Sequence, residues 1–103
     1  MKNSAQIYFD FQNALSQAEK LEDLADEIDR KVADQMEESA QQLHSAWTGD
    51  SANRYIGKEN ELWDKVKQSA RDLRNIAEEI RRIAKRVHDA EMAALRIAQT
   101  FGQ

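Results

Sequence analysis

Apolar side chains return every three or four residues along almost the whole chain, and no proline interrupts them. From Ile7 the steps run through Phe11, Ala14, Ala18, Leu21, Ala25, Ile28, Val32, Met36, Ser39 and Leu43, with Leu15 and Leu24 widening the stripe. A period of ~3.5–3.6 residues places these positions on one face of an α-helix. Asn3 is placed to cap its start, and Gln6, three residues on, completes a weak capping box. The predicted helix covers about residues 4–47, which at 1.5 Å per residue is roughly 65 Å. That is too long for an ordinary globular helix and reads as a coiled-coil-like arm.

The second half follows the same rule in three adjacent columns. One holds Tyr55, Leu62, Ser69, Ile76, Ile83, Ala90 and Ile97; the next holds Glu59, Val66, Leu73, Ile80, Val87, Ala94 and Phe101. The third holds Ile56, Trp63, Ala70, Ala77, Ala84, Glu91 and Ala98, mostly small side chains that let another helix come close. The predicted helix covers about residues 51–99. Between the two helices the apolar phase resets at Trp47-Thr48-Gly49-Asp50-Ser51. Gly49 readily takes the left-handed conformation that ends a helix, and Asp50 or Ser51, or Thr48, can cap the next one. Gly57 falls inside the second helix, at a cost of about 1 kcal/mol relative to Ala.

The expected fold is all-α, a single antiparallel two-helix hairpin turning at residues 47–50. Three apolar columns are more than one helix–helix seam can cover, so the hairpin is expected to dimerise into a four-helix bundle. A two-fold homodimer is the commonest way to build one. The expected core and dimer positions are Leu21, Ile28, Val32, Leu43, Tyr55, Trp63, Val66, Leu73 and Ile80.

Composition narrows the function. The 103 residues contain no Cys, which excludes disulfides and thiolate sites. No run of ~18 apolar residues exists to span a membrane, and the first residues lack the continuous apolar stretch of a cleavable signal peptide. A net charge of −4 and a mean hydropathy of −0.83 argue against stable membrane insertion. Residues 1–48 carry ten acids and four bases, and residues 49–103 nine acids and eleven bases, so the halves are suited to pair within a chain or across a dimer. Arg81, Arg82, Lys85 and Arg86 form a basic cluster, but Glu78, Glu79, Asp89 and Glu91 flank it, so no nucleic-acid partner is expected. His44 and His88 lie toward opposite ends of the hairpin and neither sits in a Glu-x-x-His pair, so no metal or other cofactor is expected. There is no phosphate loop or nucleophile elbow, and no catalytic role is expected.

A hairpin of about a hundred residues with Trp47-Thr48-Gly49 at its midpoint, followed by Ala52 and Tyr55, resembles the WXG-100 family. These are the small early-secreted-antigen-like proteins of type VII secretion, and the resemblance covers the whole chain. Family members carry an export signal near the end of the second helix, an aromatic followed four residues later by an acid. The matching frame here is Val87-His88-Asp89-Ala90-Glu91, with Val87 in the aromatic's place. A looser form, a hydrophobic residue, an acid and later apolar positions, is met by Val87, Glu91, Ala94 and Ala98.

The resemblance implies a protein made in the cytoplasm and then secreted folded as a dimer. It implies recognition by the secretion ATPase through Trp47 and Gly49 of one chain beside Val87 and Glu91 of the other. Two alternatives stand beside it. One is a dedicated partner or chaperone that heterodimerises with a related hairpin or with the helical leader of a larger effector. The other is a cytosolic coiled-coil adaptor with no part in secretion.

Overall fold

The computed structural model describes residues 2–46 and 49–102, with the backbone alone at 43–46, 51 and 52. Two helices account for nearly all of it: α1, Ser4–Ala46, and α2, Asp50–Phe101. No strand occurs among the described residues. The chain is the expected all-α antiparallel hairpin. Trp47 and Thr48 lie outside the described residues, and so does the side chain of Leu43.

The start of α1 and both ends of α2 follow from identifiable side chains and backbone groups. At the start of α1, Asn3 Oδ1 accepts from the Gln6 amide at 2.8 Å, while Gln6 Oε1 accepts from the Asn3 amide at 3.1 Å. This reciprocal capping box satisfies two amides that have no partner inside the helix. At the start of α2, Gly49 has φ of 100° and its carbonyl accepts from the Asn53 amide at 3.2 Å. The left-handed conformation there is one that only glycine takes without strain. Gly49 therefore opens α2, where Asp50, Ser51 or Thr48 was expected to cap. Asp50 instead supplies a negative charge to the first turn, which the helix dipole favours. At its far end α2 runs on to Phe101, and the Gly102 amide donates to the Ala98 carbonyl at 2.8 Å.

Internal contacts gather the chain into two units, Met1–Glu22 with Asn75–Gln103, and Asp23–Arg74. In the first unit the two segments run antiparallel: Lys2 meets Glu91, Phe11 meets His88 and Glu22 meets Arg81. Its buried apolar residues are Ile7, Ala18 and Ala77. In the second unit Ala25, Val32 and Ala70 are buried. The two alanines of α2 belong to the small-residue column, so this column faces inward, as its role in close helix approach requires.

In both units arginines of α2 pair with acids of α1. Arg81 grips Glu22 with both terminal nitrogens, Nη1 donating to Oε2 at 2.8 Å and Nη2 to Oε1. Arg74 Nη2 reaches Asp26 Oδ1 at 2.8 Å and Asp29 Oδ2 at 2.7 Å. Hydrogen bonding to these carboxylates raises both guanidinium pKa values. The acidic first half and the more basic second half thus pair within the chain at these points. The pairs are partly solvated, so they fix register more than they add stability.

Large side chains remain conspicuously uncovered. Among the described residues Ile7 and Val32 are the large aliphatic side chains that are buried, whereas Ile76, Ile83 and Val87 of α2 are each about half exposed.

Candidate functional site

The sequence-derived candidates of the C-terminal segment fall within the first unit. Val87 is exposed on α2, and Ala94 and Ala98 continue along the exposed side. Ile97 and Phe101 extend this stripe, and Phe101 is 85% exposed. Spacings of three and four along a helix place these residues on one face. The stripe is therefore an apolar edge held in helical form to the end of α2.

Glu91 has a different setting from its neighbours. Its side chain is only 24% exposed, and Oε1 accepts from Lys2 Nζ at 3.3 Å. The same ammonium lies 2.7 Å from Asp10 Oδ2. Lys2 therefore bridges one carboxylate of each helix, and its pKa is raised, chiefly by the hydrogen bond to Asp10 and next by that to Glu91. One turn back, the His88 ring rests on Phe11 with centroids 4.7 Å apart and planes tilted by 41°. His88 Nδ1 is 3.3 Å from Asp89 Oδ1.

These groups rim an open groove of about 300 Å³ between the two segments of the unit. Ile7, Phe11 and Ala14 supply its α1 side, and Ile80, Ile83, Ala84 and Val87 its α2 side. Lys2, Asp10, His88 and Glu91 supply its charged and polar border. An apolar floor with a few charges at the edge suits a side chain or helix face from another protein. Among the described residues, no three His, Cys, Asp or Glu side chains converge as metal ligands. No described helix is long and apolar enough to cross a membrane.

The sequence singled out Val87 and Glu91, which line this groove, but not Lys2, Asp10 or the Phe11–His88 stack. Reflecting the chain about Gly49 brings Phe11 level with Val87 and His88, so the proximity was available from hairpin geometry. Which of the two faces inward depends on helix rotation.

The other candidates divide. Val32 is buried, and Leu21, Ile28, Trp63, Val66, Leu73 and Ile80 are partly buried, whereas Tyr55 is 53% exposed. Trp63 Nε1 donates to Glu59 Oε1 at 3.1 Å, tying its ring to α2. Gly49 is exposed, and Trp47 lies outside the described residues.

No protein-family model, curated protein or solved structure matches the chain.

Proposed function

We propose that the chain is a small protein exported by a type VII secretion system, moving through it as a folded helical dimer. Recognition rests on a surface rather than on chemistry. The secretion ATPase reads the α2 tail at Val87, Glu91, Ala94 and Ala98 together with the turn at Trp47 and Gly49. The observation that carries this reading is the exposed apolar stripe from Val87 to Phe101, which stays helical to its end and has Glu91 at its flank. A receptor groove reads such a helix by anchors at helical spacing and one charge. In a supernatant assay, Val87→Ser and Glu91→Ala are expected to abolish export while leaving the intracellular protein abundant and helical. Export at the unsubstituted level by both variants would refute the role of this tail.

A second reading is favoured by Val87, which stands where the resembled signal has an aromatic. Here the hairpin escorts a related hairpin or the helical leader of a larger effector, and the partner carries the stronger signal. Co-purification of the chain with such a leader, and export that depends on it, supports the escort reading. Efficient export of the chain expressed alone rules it out.

A further inference from the structure

We propose that the groove of the first unit receives a partner helix carrying a large apolar side chain and, one turn further on, a basic side chain, and that Lys2 holds the place of that basic group until the partner arrives. The inference rests on the export reading and deepens it by naming the chemistry that a reader of the tail must carry. Val87 and Glu91 both line this groove, so a protein that contacts them lies along it.

Shape argues for a helix. From Ile80 to Glu91 the groove follows α2 for about three turns, or roughly 16 Å. On the other side it is bounded by Ile7, Phe11 and Ala14 of α1. An elongated open trough suits side chains projecting from one face of a helix, whereas a small ligand is held in a concave site that covers most of its surface. Its apolar wall is incompletely covered, with Ile83 49% and Val87 48% exposed.

Charge selects the occupant. Beyond Val87 two carboxylates, Asp10 of α1 and Glu91 of α2, converge on one ammonium, Lys2 Nζ, at 2.7 and 3.3 Å. One positive charge balances only one of the two negative ones, and the arrangement already accommodates a cation. Lys2 and Asp10 are each about half exposed, and ion pairs this open to solvent are weak. An incoming basic group therefore exchanges with Lys2 at little cost. Val87 and Glu91 are one turn apart on α2, so an apolar anchor beside the first and a cation beside the second are one turn apart on a helix laid along the groove. An acidic partner meets Asp10 and Glu91 as like charges, which disfavours it.

The probe is an alanine-based helical peptide carrying Leu and Lys one turn apart, titrated into the full chain. Binding is followed by the NMR shifts of the Val87 methyl groups and the Glu91 carboxyl carbon, and saturable shifts are expected at both. The same peptide with Glu in place of its Lys is expected to bind about tenfold more weakly. Lys2→Met removes the competing charge and keeps an apolar stem; it is expected to tighten binding about threefold. Glu91→Gln is expected to weaken binding, with the helical circular dichroism signal unchanged in both variants. Equal binding of the two peptides overturns selection by charge. Binding that Lys2→Met weakens or leaves unchanged overturns Lys2 as a placeholder. Absence of shifts at Val87 and Glu91 overturns the groove as a docking site, and leaves the export reading intact if Val87→Ser and Glu91→Ala still abolish export. Peptide binding as described, beside unaltered export of those two variants, supports the groove and overturns the export reading alone.

Discussion

Two glycine-to-alanine substitutions are expected to act with opposite sign, and the structure sets both magnitudes. Gly49 has φ of 100°, and an added Cβ meets no atom within 4 Å, so backbone conformation is the whole penalty. Placing Ala in the left-handed region costs about 1–2 kcal/mol. The reduced entropy of the unfolded chain returns roughly 0.4–1 kcal/mol. Gly49→Ala should therefore destabilise by about 1 kcal/mol. Gly57 is also free of any neighbour within 4 Å of an added Cβ, but its φ is not positive and it lies inside α2. Helix propensity alone makes Gly57→Ala stabilising by about 0.8–1 kcal/mol. Urea unfolding followed by the helical circular dichroism signal, at one fixed protein concentration, separates the two. For a slope of about 2 kcal/mol/M, the midpoint falls by roughly 0.5 M in Gly49→Ala and rises by a similar amount in Gly57→Ala. A neutral or stabilising Gly49→Ala would show that the chain does not need a left-handed residue at the start of α2. A destabilising Gly57→Ala would place an unseen close contact at that position.

Other consequences follow from individual side chains. Asn3→Ala breaks the capping box and should lower stability by about 1 kcal/mol, with faster exchange of the Gln6 amide in hydrogen-exchange NMR. The Lys31 hydrogen bond lowers the Glu27 pKa, with the Lys31 charge adding to it, so the stability it contributes is complete above the ordinary carboxylate range. That contribution is lost as the pH falls through the lowered folded-state pKa. A carboxyl carbon NMR titration of Lys31→Ala should therefore show Glu27 titrating at higher pH than in the unsubstituted chain. Arg74→Met removes the partner shared by Asp26 and Asp29. It should lower the thermal midpoint in dilute buffer and have a smaller effect in molar salt, where exposed charges are screened.

The helices were legible because a 3.6-residue period carries its own geometry. Steps from Ile7 to Val32 predicted the face that α1 buries, and the Ala70 and Ala77 column predicted the close inward face of α2. Asn3 and Gln6 were legible for the same local reason, since capping involves residues only three apart. Gly49 was legible as a breaker, but its place as the first acceptor of α2 depends on φ, which no residue pattern specifies. The Lys2 bridge between Asp10 and Glu91 was not legible. It depends on helix rotation and on where long side chains settle, and several acids near that end of the hairpin were equally plausible partners. Tyr55 shows the limit of a broad stripe: it sits in an apolar column and is still 53% exposed. Periodicity marks which residues are apolar, whereas the number of partner helices decides which become covered.

Multi-angle light scattering of the purified chain behind size exclusion, over a range of concentrations, tests directly whether the hairpin self-associates. A helical species near twice 11.9 kDa is expected. A mass of 11.9 kDa at every concentration, with full helical content, would contradict the proposed self-association of the hairpin.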